Sequence, residues 1–168
     1  GLAGTEATIA AAGGTVATRV GDVTEREECF STVAAAVDAF GRLDVLCNIA
    51  GIAGGEHFTK IGEDFYRRMM AVNLDAPFFF CQAAIPHLLE TDGNIINMAS
   101  NAGLMGQAYT SVYCMSKGAL VQLTRSLAME YAKTNIRVNA IAPGGVVTNL
   151  THTFQMPADV DFELMAPY

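Results

Sequence analysis

The strongest constraint on the fold is a repeated alternation along the chain. Short strand-like segments bounded by turn residues, at 45–49, 95–98 and 136–141, the first a continuous apolar run, are separated by stretches long enough for helices. An unbroken apolar run of roughly four to eight residues suits a strand buried on both faces. Consecutive parallel strands need a crossover of about a dozen residues or more, normally a helix. The pattern predicts an α/β fold: a doubly wound parallel sheet, Rossmann-like, in three α/β/α layers.

The segments between these runs carry their own signals. Residues 2–12 read as the end of an Ala-rich helix, stopped by Gly13-Gly14, and the β-branched run 15–20 reads as a further strand. Thr24 with Glu27 has the spacing of a capping box for a helix reaching about Phe40, ended by Gly41. From Glu63 a helical pattern runs, with a break, to Leu89, and Pro77 and Pro86 disturb its interior. Residues 112–133 form the clearest helix, with Leu120, Leu123, Leu127 and Tyr131 at helical spacing. The segment 151–168 has no clear period and reads as loop or partial helix.

Composition narrows the function classes. Hydrophobic residues make up 51% and charged residues 16% of 168 residues, which favours one domain with a large core over disorder. The net charge is −7, and the ten Lys and Arg are scattered, so nothing tracks phosphates. Neither nucleic acid nor an anionic membrane is expected as a partner. The uncharged stretch 93–116 contains Asn94, Asn97, Ser100, Asn101 and several glycines, so it reads as strand plus loop, not a membrane span. Cys29, Cys47, Cys81 and Cys114 form no CxxC pair and lie in apolar stretches, as buried free thiols do. The three histidines show no ligand spacing, so no metal site is expected. Residues 1–12 lack a basic and then apolar leader pattern, and a cytoplasmic protein is expected.

Candidate chemistry gathers at the strand ends. Tyr113 and Lys117 are four apart on the predicted helix and share one face. Alone, that spacing describes many partly buried tyrosines beside solvated lysines. Ser100, however, lies 13 residues before Tyr113, just past the carboxyl end of the strand at 95–98. That edge is where open α/β sheets bind ligands. Asn73 is a polar residue inside an otherwise apolar helix, the ordinary reading of which is a buried amide satisfied by backbone. The turns Asn48-Ile49-Ala50-Gly51 and Pro143-Gly144-Gly145-Val146-Val147-Thr148 come off two other strand ends.

Taken in order, Asp22, the 48–51 turn, Asn73, Ser100, Tyr113 with Lys117 and the 143–148 turn resemble the short-chain dehydrogenase/reductase family, over about residues 15–150. The resemblance implies an NAD- or NADP-dependent oxidoreductase that interconverts a secondary alcohol and a ketone by hydride transfer. It also implies a small-molecule alcohol or ketone substrate and a homotetramer or homodimer. Tyr113 would be the general acid in reduction and the base in oxidation. A free phenol ionises near pH ~10, too high for a good base at neutrality, and the charge on Lys117 would lower it. Lys117 would also hold the cofactor ribose. Ser100 would orient the substrate oxygen, and Asn73 would hold a water linking Lys117 to solvent. The family pattern places Asp22 and Val23 at the adenine and Asn48, Ala50 and Gly51 along the adenosine ribose. It places Pro143, Gly144, Val146 and Thr148 around the nicotinamide. Helix residues Phe78, Phe79, Phe80, Met115 and Met129 are candidates for a subunit contact or for the core. Within the family, a 3-oxoacyl-[acyl-carrier-protein] reductase is the alternative. Outside it, an inactive Rossmann-like binding module is the alternative, against which the complete set of four catalytic residues argues.

Two departures stand out. Ile49 occupies the place of the family's second asparagine, and the Gly-rich dinucleotide loop T-G-x-x-x-G-x-G is absent. In the strand order 3-2-1-4-5-6 the runs at 15–20 and 45–49 match the third and fourth strands, which are not neighbours. The expectation is therefore one Rossmann-like domain over 1–168 that lacks the first two strands and the C-terminal strand. It would be an internal portion of a longer chain, with one βαβ unit of ~30 residues missing in front.

Overall fold

The computed structural model of the chain describes residues 1–164. The end of the 151–168 segment, beyond 164, lies outside the described residues. A three-stranded parallel sheet of order β1-β2-β3 forms from Val45–Asn48, Asn94–Met98 and Arg137–Ile141. The register pairs Leu46 with Ile95 and Ile95 with Val138, so these three side chains share a face. On that face Ile95 and Val138 join Val33, Cys81, Ala84, Leu88 and Ile136 in one buried cluster, with Leu46, Leu127 and Tyr131 against it. The helices delivering these contacts are α2 (Arg26–Phe40), α4 (Ala76–Glu90) and α5 (Ser111–Glu130). A first helix, α1 (Leu2–Ala11), contributes no buried residue.

The longest helices form where the periodicity places them. Helix α2 has Glu27 and Glu28 in its first turn, where negative charge complements the helix dipole. It ends at Gly41 with φ 75°, the left-handed cap that glycine adopts without steric cost. The break in the 63–89 pattern is a π turn, Ala71–Asp75, between α3 (Glu63–Met70) and α4. Pro77 has no N–H to give the carbonyl four residues earlier, which belongs to Asn73, so the ordinary ladder cannot run through this point.

Four expectations are corrected. Residues 15–20 belong to no strand, and Val20 is 87% exposed. A strand exists only through its partner, and this run is held instead by Arg19, which pairs with Glu28 and donates to Ser31 on α2. Thr24 and Glu27 form no capping box. Asp22 Oδ1 accepts from Thr24 N and Thr24 Oγ1, closing a turn ahead of α2. The run at 45–49 is not buried on both faces: Leu46 and Asn48 turn to the core side, whereas Val45 and Ile49 point away from it and are about half exposed. For the same reason Cys47 is exposed, whereas Cys29 and Cys81 are buried free thiols and Cys114 lies between. Burial pushes the Cys81 thiol up to about 11.

Candidate active site

The carboxyl ends of β1, β2 and β3 open onto one cleft of about 710 Å³. Met98 ends β2 and Ala99 continues it, with Ala99 N donating to Ile141 O at 2.8 Å. Ser100 then turns the chain: its Oγ accepts from Ala102 N at 3.2 Å and caps a short 3-10 turn at Asn101–Gly103. That turn lies directly on α5. A Cβ on Gly103 would come within 2.7 Å of the Lys117 backbone, so only glycine allows this approach.

Lys117 is 4% exposed, and its Nζ donates to Met98 O at 2.7 Å. Burial lowers its pKa from the ordinary lysine value to about 8. At neutral pH it still carries its charge, but it can release a proton far more readily than a surface lysine. Tyr113, one helical turn earlier, lines the same cleft. Ser100, Gly51, Pro143, Gly144, Val146 and Thr148 line it too. The nearby loop carrying Pro143 is tied in by Asn101 N, which donates to Pro143 O at 2.9 Å.

Asn73 sits beneath the cleft, fully buried. Its Oδ1 accepts from Ile52 N, and its Nδ2 donates to Ile52 O, both at 2.9 Å. The same Nδ2 reaches Ser116 Oγ at 3.1 Å, and Ser116 Oγ donates to Tyr113 O at 2.8 Å. The side chain therefore fixes the loop after β1 to α5 and is fully engaged in doing so. Gly51 fits between these parts: a Cβ there would stand 3.3 Å from Asn73 Oδ1 and 3.4 Å from Lys117 Nζ. Its smallness serves the crowding around Asn73 and Lys117.

The remaining sequence-predicted residues lie elsewhere. Val23, Asn48 and Ala50 line a second groove of about 300 Å³ along β1, which meets the main cleft at Ile49. The Asn48 amide is turned into the protein, where Nδ2 donates to Asn97 Oδ1 at 2.8 Å. Asn97 Nδ2 passes the chain on to Thr124 Oγ1 at 2.9 Å. Asp22 lines neither space. Its carboxyl is held below the usual carboxylate range by Thr24, with Arg68 at 3.6 Å adding to the effect.

Residues missed in the sequence complete the picture. Asn97, Ser116 and Thr124 are buried polar groups that each bond a side chain from another element, so no local pattern marks them. Beyond the reacting end, three loops meet at Tyr109, whose φ of 64° is strained for an aromatic residue. Tyr109 OH accepts from Asp161 N at 2.9 Å, and His57 packs on its ring and bonds Asp159 at 2.8 Å. Among the described residues no group of three or more His, Cys, Asp or Glu is placed to hold a metal, and no helix is long and apolar enough to cross a membrane.

Comparison with known proteins agrees with this geometry. The family model for short chain dehydrogenase matches residues 2–158. The 2-(R)-hydroxypropyl-CoM dehydrogenase of Xanthobacter autotrophicus is 40% identical over 77% of this chain and 54% of its own length. The meso-2,3-butanediol dehydrogenase of Serratia marcescens is 39% identical over 68% of this chain and 46% of its own. The chain thus spans about half the length of these curated relatives. Among solved structures, a short-chain dehydrogenase from Streptomyces avermitilis superposes with a TM-score of 0.84 at 28% identity, over 96% of this chain and 62% of its own. A structure described as ElxO with NADP bound gives 0.74 at 34% identity, over 78% of this chain and 54% of its own. The chain belongs to the short-chain dehydrogenase family and has its doubly wound parallel α/β fold.

Proposed function

We propose that the protein is an NAD- or NADP-dependent dehydrogenase that interconverts a secondary alcohol and a ketone. One observation carries the reading above all. Ser100, Tyr113 and a buried Lys117 converge on one cleft beside the glycine-rich 143–145 turn. The residues fit a nicotinamide. Gly144 and Gly145 leave the floor open, Pro143, Val146 and Thr148 frame it, and Lys117 supplies a buried cation for ribose hydroxyls. Gly51 and Ala50 continue toward the groove where Val23 and Asn48 lie, the side on which the adenosine half would run. NADP in a structural relative supports the cofactor class. Asp22, bound to Thr24 and Arg68, would meet the adenine from the outer rim of that groove.

The bound cofactor supplies or accepts the hydride. The chain's own residues handle the oxygen. In reduction, Tyr113 gives its phenolic proton to the carbonyl oxygen as the carbonyl carbon gains the hydride; in oxidation the phenolate takes that proton back. Ser100 Oγ donates to the same oxygen and fixes its position. The ammonium of Lys117 favours the phenolate by proximity, and its pKa of about 8 lets it exchange a proton near neutrality. Because the Asn73 side chain is fully engaged, its place in a water relay falls to the main-chain carbonyl, which Pro77 cannot satisfy.

Around this centre, we read 1–168 as part of one larger Rossmann-like domain that works in the cytoplasm as a homotetramer or homodimer. The unpaired outer edge of β1 supports further strands beside it. Tyr113→Phe tests the mechanism. It should lower turnover by about a thousandfold, within the usual range for lost acid–base catalysis, while dinucleotide affinity stays within a few-fold. A variant turning over at the wild-type rate would show that another group moves the proton.

A further inference from the structure

Two amides stand beside the reacting serine and are only partly used. Ser100 Oγ donates to Asn101 Oδ1 at 3.2 Å, and Gln107 Nε2 donates to the same oxygen at 3.4 Å. This leaves Asn101 Nδ2 as a donor and Gln107 Oε1 as an acceptor. Neither has a hydrogen-bond partner among the described residues, and both side chains line the cleft. The backbone under them is fixed: Asn101 N donates to Pro143 O, and Asn101 O accepts from Leu104 N at 2.8 Å. The wall farther out, at Ile52, Leu150 and Phe154, is apolar.

A free donor and a free acceptor on two linked side chains of one cleft match a hydroxyl, which both donates and accepts. A carboxylate, which only accepts, would leave Gln107 Oε1 facing negative charge. The position is specific as well. Oxygens on adjacent carbons of a substrate sit about a hydrogen-bond length apart, ~2.8 Å. When the reacting oxygen replaces Asn101 as the acceptor for Ser100, a neighbouring oxygen falls within reach of the amides. Asn101 Oδ1 keeps Gln107 as its donor, so the exchange leaves no buried group unpaired.

Resting on the dehydrogenase reading above, we propose that Asn101 and Gln107 form a second polar anchor for a neutral substrate bearing an oxygen on the carbon next to the reacting one, a vicinal diol or α-hydroxyketone. The anchor sets specificity, while the apolar wall takes the carbon skeleton.

The test compares 2,3-butanediol with 2-butanol in initial-rate assays of the intact protein with each dinucleotide. The diol should be preferred in kcat/KM by roughly tenfold or more, the worth of one or two hydrogen bonds. Gln107→Leu and Asn101→Ala should pull that ratio toward one. A ratio between two substrates is insensitive to losses in folding or cofactor affinity. Equal wild-type rates for the two alcohols, or variants that keep the preference, would overturn the anchor and leave the dehydrogenase reading standing. If neither alcohol reacts with either dinucleotide, the dehydrogenase reading fails. The anchor is then decided by saturation-transfer NMR, in which 3-hydroxy-2-butanone must bind more tightly than 2-butanone.

Discussion

Lys117 has a cost as well as a use. Its pKa of about 8 lies below the lysine reference of 10.5, because burial disfavours the charge. Below pH 8 both folded and unfolded chains hold the proton, and the full destabilisation is present. Between pH 8 and 10.5 the unfolded chain binds more protons, so this group's contribution to stability improves as pH rises. Lys117→Met should therefore stabilise the cofactor-free protein by about 1 kcal/mol near neutrality, net of the lost bond to Met98 O, while abolishing turnover. Thermal melts of both proteins across pH 7–10.5 check this: the gap should close as the pH climbs. The same residue shows what a sequence can disclose. Spacing from Ser100 and Tyr113 marks Lys117 as chemical, but its bond to the last carbonyl of β2 depends on how a helix meets a strand.

Elements were legible where their signals are local. Helix α5 follows from its periodicity, and the end of α2 follows from Gly41 alone. The run at 15–20 has the residues of a strand but pairs with no strand among the described residues, so composition alone does not make it one. Asn73 was conspicuous as a polar residue in an apolar helix. The π turn around it was hidden, because it reflects both Pro77 and the demands of Ile52 and Ser116 from other elements. Gly103 was likewise silent in sequence, although it sets the distance between the turn after Ser100 and α5. Gly103→Ala should push the two apart and cost about 1–3 kcal/mol by overpacking. Turnover should fall along with stability, because Ser100 moves relative to Tyr113; denaturant melts and kcat measured together would reveal a variant that loses one without the other.

For the whole molecule, the described residues bury one face of the sheet more deeply than the other. Val45, Cys47, Asn139 and Ile141 are exposed on that second face, as is the outer edge of β1. Ser100, Tyr113 and Lys117, singled out in the sequence by their spacing, line one cleft in the structure. The side-chain partners of Asp22 and Asn48 were not legible, because Thr24 closes a turn on the first and the sheet brings Asn97 to the second. On the helical surface, Phe78 is 44% exposed, Met115 46% and Met129 77%, whereas Phe79 and Phe80 are half-buried. Exposed apolar side chains on α4 and α5 suit a symmetric contact between copies. Light scattering should give a mass of two or four chains, and Phe78→Asp combined with Met115→Asp should reduce it; a wild-type monomer would contradict the assembly.

The row running from Asn48 through Asn97 to Thr124 has a meaning for how the sheet is assembled. Side chains alternate faces along a strand, so sliding β1 by one residue against β2 would bring Cys47 or Ile49 opposite Asn97, turn Asn48 to the other face and leave the buried Asn97 Oδ1 without its donor. The row therefore works as a proofreading mark, readable only once strands and helix have met. A wrongly paired sheet carries the cost of that unpaired buried amide, which favours the observed register.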